Sequence, residues 1–257
     1  MSRSPDVAII GGTGVYDVPG LRLGDAHVHD TAYGQALLRF GRFADDSGSS
    51  AEVVFLARHG TEHTIPPHRV NYRANIAALQ DLGVGAVVAT AAVGSLRRDL
   101  PPGRLVLLDQ FLDFTRCRPS TFFDGDGRVE HTDMTQPYDA TVRKLLIQAA
   151  QRAGIELESR GTYVCTEGPR FETTAEVAMF AGLGGDVVGM TNVPEVVLAR
   201  EAGLSYAAVA LVTNLGAGLS PSPLTHEEVV EAMEENAKQL ADLRAALFCG
   251  FARAHKE

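Results

Sequence analysis

The chain has 257 residues, with 32 acidic and 23 basic side chains and a formal net charge of −9 at pH 7. This acidic balance disfavours non-specific binding to nucleic acid or to anionic membranes, because both need a basic face. Only Lys144, Lys238 and Lys256 are lysines, so a lysine-dependent phosphate loop is excluded from the first half of the chain.

Three widely spaced cysteines, Cys117, Cys165 and Cys249, form neither a CxxC pair nor a disulfide framework, which predicts a reducing, cytoplasmic location. The N-terminus lacks the charged-then-apolar pattern of a secretory signal. No run of about 18 apolar residues predicts a membrane span. The length suits one large α/β domain or two small ones.

The first half of the chain begins with an apolar run at 6–10, which predicts a buried strand entering a glycine loop at 11–14. Residues 52–57 predict a second strand. Apolar residues at helical spacing predict a helix over 71–82 that stops at Gly83. The small apolar residues of 85–92 predict a central strand.

The second half alternates strands with helices. Strands are predicted at 104–108, 160–165, 186–190 and 205–213. Helices are predicted at 140–153, from the capping box at 173–176, at 194–203, and from a second capping box at 225–228 as one long helix. We therefore predict a single α/β domain over residues 1–257, with a mixed or mostly parallel central sheet flanked by helices on both faces.

The glycine loop offers two interpretations. The sequence Gly12-Thr13-Gly14 lacks the third glycine of a dinucleotide fingerprint, so a nicotinamide or flavin site is not predicted. Its N–H groups and the Thr13 hydroxyl could hold an anion, as glycine-rich nests do. The loop could equally be a tight turn.

Arg58 and His59 follow a predicted strand, at the edge where α/β sheets collect ligands. A guanidinium there suits a phosphate, although a surface arginine beside a loop would have the same pattern. His59, His63 and His68 do not predict a metal site, because a glycine and two prolines among them oppose a helix and no cysteine or carboxylate has matching spacing.

Two further strand ends carry polar groups. Behind a Gly-Pro turn lie Arg170, Phe171 and Glu172, where the ring could stack on a planar ligand and the carboxylate could accept its N–H groups. A loop salt bridge with a buried Phe171 fits equally. Asn214 offers a donor and an acceptor that suit a purine edge, or it is a turn residue. The patterns indicate an anion site beside a site for a planar ligand.

Together these segments resemble the trimeric purine nucleoside phosphorylase and methylthioadenosine phosphorylase family. The matching stretches cover most of the chain, at 9–17 (IIGGTGVYD), 56–76, 90–96, 101–115, 166–177 (TEGPRFETTAEV) and 189–203. The resemblance implies the nucleoside phosphorylase fold and phosphate-dependent cleavage of a nucleoside N-glycosidic bond. It implies no metal or organic cofactor, with inorganic phosphate as co-substrate, and a homotrimer or a dimer of trimers.

The resemblance also implies roles for individual residues. Phosphate binding falls to Thr13, Arg58, His59, the backbone at Ala91 and Ala92, and Thr191. Met190 would pack under the ribose and Phe171 against the base, while Glu172, Asn214 and His226 would also contact the nucleoside. Asn214 and His59 are the expected catalytic residues, and His131 is implied to reach a neighbouring subunit's site.

Three positions bear on the substrate. Methylthioadenosine phosphorylases typically carry an Asp-x-Asp pattern where this chain has Asn214-Leu215-Gly216. Glu172 matches the glutamate with which 6-oxopurine phosphorylases accept the purine N1–H, and His226 matches the histidine that binds the ribose 5′-hydroxyl. We therefore expect inosine, guanosine and their deoxy forms as substrates.

Alternatives stay open at this point. The segment RHGTEHTIPPHRVNY is closer to the methylthioadenosine branch, so a phosphorylase for methylthioinosine or methylthioadenosine is the main one. His226 could also be an ordinary polar residue in the first turn of its helix. A non-catalytic purine-binding protein and a hydrolase that uses water are the others, and dependence of base release on phosphate separates them from a phosphorylase.

Overall fold

A computed structural model describes residues 4–11, 18–44, 50–60, 64–125, 127, 129–220 and 226–254. Within these ranges all strands join one sheet. The strands are β1 (Val7–Gly11), β2 (Leu21–Thr31), β3 (Gly34–Ala44), β4 (Ser50–Ala57), β5 (Val87–Ser95), β6 (Leu105–Leu107), β7 (Gln110–Phe114), β8 (Leu157–Glu158), β9 (Thr162–Thr166), β10 (Val187–Gly189) and β11 (Tyr206–Leu215). The helices are α1 (Tyr72–Asp81), α2 (Ala140–Ala153), α3 (Thr174–Gly182), α4 (Asn192–Glu201), α5 (His226–Glu235) and α6 (Ala237–Ala254), with a 3₁₀ turn at Pro67–Arg69.

The sheet is mixed. Its main path runs β2-β3-β4-β1-β5-β10-β9-β7, and β11 pairs with both β5 and β6. Strands β4, β1, β5 and β11 run parallel, whereas β10 is antiparallel to β5 and parallel to β9. Strand β5 therefore brings ends of both strand directions together, which positions the candidate site.

Two apolar layers hold the helices against the sheet. Adjacent residues of β1 point to opposite faces, because side chains alternate along a strand. Ile10 packs in the layer that contains Ile76 and Leu198, on the side of α1 and α4. Ile9 packs in the layer that contains Leu146 and Leu247, on the side of α2 and α6. The predicted mixed sheet flanked by helices on both faces is confirmed.

The predicted helix boundaries hold with two differences. Thr173 and Glu176 form the predicted capping box through reciprocal bonds, and Gly154 ends α2 in the left-handed conformation. Helix α4 begins before Pro194, although Val193 has non-helical backbone angles, so regular helix starts at that proline. No helix of the described residues is long and apolar enough to cross a membrane.

The prediction of one long C-terminal helix is wrong. Helices α5 and α6 are separated at Asn236, whose side-chain Nδ2 donates to the Ala232 carbonyl at 2.8 Å. Such a side-chain bond competes with the regular backbone ladder and interrupts the helix. The capping residue proposed at 225 lies outside the described residues.

Candidate functional site

The phosphate side of the candidate site is built at the ends of β1, β4 and β5. Ala57 of β4 pairs with Gly11 of β1, and the Arg58 N–H donates to the Gly11 carbonyl at 3.0 Å. Arg58 therefore stands beside the first residue of the glycine loop. Thr13 and the rest of that loop lie outside the described residues.

The Arg58 guanidinium is buried, with 3% of the residue exposed. Its Nε and Nη2 donate to the two carboxylate oxygens of Glu195 at 2.7 and 2.8 Å, and its Nη1 donates to the Thr90 carbonyl at 2.9 Å. Burial acts to lower the pKa of Arg58, but the adjacent Glu195 carboxylate outweighs it and the pKa is raised. Arg58 is therefore permanently charged, and Glu195 balances that charge.

A buried chain of polar groups supports this ion pair. The Tyr206 hydroxyl donates to Glu195 Oε1 at 2.8 Å, and Asn192 Nδ2 donates to the Tyr206 hydroxyl at 3.0 Å. The Tyr138 hydroxyl then bonds to Asn192 Oδ1. Because each buried polar group has a partner, Arg58 and Glu195 are fixed in one geometry.

His59 is also buried, with 8% of the residue exposed. Its Nδ1 lies 2.8 Å from the Ile65 carbonyl oxygen. A carbonyl can only accept, so Nδ1 carries the proton and the neutral ring presents Nε2 as an acceptor. The other histidine of the predicted triplet that is described, His68, lies in the 3₁₀ turn. In the described parts of the chain, no group of three or more His, Cys, Asp or Glu could hold a metal ion.

Ala91, Ala92 and Thr191 are brought toward one another by the sheet. Strand β10 runs antiparallel to β5, with Val188 opposite Gly94, so the chain leaving β10 heads back toward Ala92 and Ala91. Thr191 is buried and stands at the N-cap of α4, where its side chain makes no capping bond. A helix N-terminus at this point favours a bound anion.

The base side of the site begins with Asn214, which pairs with Gly94 across β11 and β5. A side chain at Gly94 would meet Asn214 Nδ2, because an added Cβ would lie 3.1 Å from it. Thr213 Oγ1 donates to Asn214 Oδ1 at 2.9 Å, and Asn214 Nδ2 donates to the Leu215 carbonyl at 3.0 Å. These bonds fix the amide orientation and leave Nδ2 with a second N–H.

Glu172 is held from the end of β9. The Thr166 hydroxyl donates to Glu172 Oε1 at 2.7 Å and lies 3.5 Å from the Gly189 carbonyl of β10. Burial raises the pKa of the Glu172 carboxyl above its usual value, and the Thr166 hydrogen bond only partly opposes this. Asn214 and Glu172 are thus anchored on the neighbouring strands β11, β5, β10 and β9.

The loop before Glu172 divides between the two interpretations of its sequence. Arg170 forms a paired ion contact with Glu176 at 2.7 and 2.8 Å, so this arginine makes a loop salt bridge. Phe171 is half-buried. Gly168 has φ +64°, and a Cβ there would lie 2.5 Å from Met190 Sδ, so only glycine lets the loop approach Met190 this closely.

Arg118 is a site residue that the sequence did not indicate. Its side chain is 1% exposed, and it donates to the carbonyls of Met190 and Val193 at 2.7 Å each. It also donates to the carbonyls of Thr166 and Glu167 at 3.1 and 2.8 Å. Arg118 thereby ties the base-side loop to the segment that carries Met190. Backbone partners leave no sequence signature, so spacing could not have found this role.

Two predicted residues are not placed beside the others. His226 begins α5, but its side chain lies outside the described part of the chain. His131 is exposed on this subunit. Their roles, like those of the other site residues, stay predictions.

Comparison with known proteins identifies the family. A sequence profile of the phosphorylase superfamily matches residues 6–248. The chain belongs to this superfamily. The resemblance and the predicted fold are therefore confirmed, and the polar groups described above line the strand ends of a phosphorylase superfamily sheet.

Individual superfamily members are similar over nearly the whole chain. The 6-oxopurine nucleoside phosphorylase of Pyrococcus furiosus is 51% identical over 245 residues, covering 93% of this chain and 90% of the relative. A probable S-methyl-5′-thioinosine phosphorylase of Methanothermobacter thermautotrophicus is 47% identical over 247 residues, covering 92% and 81%. A solved methylthioadenosine phosphorylase from an antarctic soil metagenomic library has a TM-score of 0.88 at 37% identity, covering 99% of this chain and 88% of that chain.

Proposed function

We propose that this protein is a purine nucleoside phosphorylase, a pentosyltransferase that cleaves inosine, guanosine and their deoxy forms with inorganic phosphate. The products are a free purine and a pentose 1-phosphate. The observation that carries the proposal is the pairing of a buried carboxylate, Glu172, with an oriented amide, Asn214, on adjoining strand ends. A 6-oxopurine presents an N1–H donor and acceptors at O6 and N7, which are complementary to these groups.

The adenine edge fits this pair less well. Adenine has an acceptor at N1, which an ionised Glu172 would repel, and a 6-amino donor in place of the carbonyl. A site built to accept an N–H strongly rejects an analogue that lacks it, because a buried polar group then stays unpaired. We therefore propose selection for 6-oxopurines through Glu172 rather than through the sugar.

The reaction calls for stabilisation of two developing charges. As the N-glycosidic bond breaks, the sugar becomes cationic and the purine becomes anionic. Phosphate held at the β1, β4 and β5 ends would stabilise the sugar, and the second N–H of Asn214 Nδ2 would stabilise the purine. One well-placed donor of this kind is worth about 3–4 kcal/mol, and positioning both substrates together supplies more. We propose that no metal or organic cofactor takes part.

Methylthioinosine is the second candidate substrate. Its base presents the same 6-oxo edge, and a relative that is 47% identical is named for this activity. The two candidates differ at the sugar 5′ position, to which His226 is assigned by resemblance.

A panel of inosine, guanosine, adenosine, methylthioadenosine and methylthioinosine, with and without phosphate, tests the proposal. We expect free base only when phosphate is present, and faster turnover of inosine and guanosine than of the adenine nucleosides. Preference for methylthioadenosine would contradict the roles of Glu172 and Asn214. Preference for methylthioinosine over inosine would overturn only the assignment of His226. Base release without phosphate would indicate a hydrolase.

We also propose a cytoplasmic homotrimer, or a dimer of trimers. The trimer rests on the family resemblance, and the location on Cys117, Cys165 and Cys249, which are all free thiols. Light scattering of the purified protein should give a mass three or six times that of one chain.

A further inference from the structure

Helix α6 carries a charged residue within its apolar face. Leu240, Leu243, Leu247 and Phe248 are buried against the sheet, and Arg244 lies among them with 3% of the residue exposed. The spacing from Leu240 to Arg244 is four residues, so an apolar side chain would be expected there. Arginine is almost never buried so fully unless it serves an interaction.

Arg244 reaches the strand end that is assigned to phosphate. Its Nη2 lies 3.4 Å from Thr90 Oγ1, while Arg58 Nη1 donates to the Thr90 carbonyl at 2.9 Å. Two guanidinium groups therefore meet at the residue immediately before Ala91 and Ala92. Helix α6 packs on the opposite face of the sheet from α4, so they approach from two sides.

The two arginines differ in what balances their charge. Arg58 is held by both carboxylate oxygens of Glu195, so that pair contributes little net charge to the site. Inorganic phosphate is a multiply charged anion and needs a net positive site. Burial lowers the pKa of Arg244 to about 10, so the side chain stays cationic at neutral pH. A bound anion would offset the desolvation that lowers this pKa.

We propose that Arg244 is a phosphate-binding residue, supplying the positive charge that holds inorganic phosphate at the end of β5. The inference rests on the proposed function only in taking phosphate as the co-substrate. Arg58 then has a second task, which is to fix the Thr90 carbonyl and the strand end through Glu195.

Calorimetric titration of the protein with inorganic phosphate, without nucleoside, tests the proposal. We expect R244M to weaken phosphate binding by tenfold or more, because a charge-assisted contact is lost. R244K should be intermediate, since it keeps the charge but loses the planar fork. R152M removes an exposed guanidinium from the last turn of α2 and should bind phosphate as the wild type does.

Thermal unfolding in phosphate-free buffer separates this role from a structural one. Removing a buried charge in favour of a similar apolar group is often neutral or stabilising, so R244M should unfold no earlier than the wild type. It should, however, lose the stabilisation by phosphate that the wild type gains. If R244M fails to fold, R244K carries the test.

Wild-type phosphate affinity in R244M, or in R244K should only that variant fold, would overturn the proposal, as would absence of phosphate binding to the wild type. If phosphate binds through Arg244 but no purine nucleoside is cleaved, the proposed function fails while the role of Arg244 stands. In the active enzyme, R244M should raise KM for phosphate and leave KM for inosine unchanged.

Discussion

Replacing Asn214 by Asp changes the one group that we assign to the departing purine. The shape of the side chain is kept, so Thr213 Oγ1 can still donate to Oδ1, as it does at 2.9 Å. The Nδ2 group, however, becomes an oxygen. It then opposes the Leu215 carbonyl across a distance that is 3.0 Å for the amide. The variant therefore loses a donor to the ligand and gains a contact between two acceptors.

The magnitude follows from these two changes. A donor aimed at a developing negative charge is worth about 3–4 kcal/mol, roughly 10²–10³ in kcat. We expect kcat for inosine to fall by that factor in N214D, with a smaller change in KM, because the charge develops only in the transition state. An ionised Asp accepts from the 6-amino group of adenine, so turnover of adenine nucleosides should rise.

The assay is steady-state phosphorolysis of inosine and adenosine at saturating phosphate. The matched control is N236D, since Asn236 Nδ2 also donates to a backbone carbonyl, at 2.8 Å, but lies between α5 and α6. Each variant leaves two acceptors facing each other, which costs about 1–3 kcal/mol of stability. N236D should nevertheless keep the wild-type inosine rate.

The reasoning is refuted if N214D keeps its inosine rate while remaining folded, because Asn214 then does not contact the base. A loss of equal size in N236D would assign the effect to stability rather than to chemistry.

Two further predictions concern the charged groups of the site. Replacing Glu195 by Gln leaves Arg58 buried without its counter-charge, and breaking such a pair costs about 3–5 kcal/mol, measured as a loss of unfolding free energy in denaturant; phosphate should restore part of this loss, and a variant as stable as the wild type would contradict the charge balance. The raised pKa of Glu172 means that the carboxyl becomes protonated at a higher pH than an ordinary glutamate, and a protonated carboxyl can donate to N1 of adenine. The ratio of kcat/KM for inosine over adenosine should therefore fall as pH falls through that raised pKa, and E172Q should show a flat ratio; the same slope in E172Q would assign it to another group.

Much of the fold could be predicted from local patterns. Runs such as 6–10 and 205–213 are buried on both faces, so continuous apolar sequence marked them as strands, and the cap at Thr173 marked its helix. The hairpin of β2 and β3 was not predicted. Strand β2 is largely exposed on both sides, so its sequence carries no alternation of apolar and polar residues.

The site could be predicted only where its residues follow strand ends. Arg58, Asn214 and Glu172 were found in this way, because a polar group after a buried strand stands out. Glu195 was not, since its place in the first turn of a helix also suits an acid that faces the helix dipole. Arg118 escaped for a different reason, because four of its partners are backbone carbonyls.

The Arg58–Glu195 pair also has a consequence for synthesis of the chain. The two residues are 137 positions apart, and a growing chain leaves the ribosome from its N-terminus. Arg58 therefore emerges long before its partner and must stay hydrated until α4 has been made. The desolvated anion site is consequently a late product of translation, and a nascent chain that stops before α4 cannot hold phosphate there.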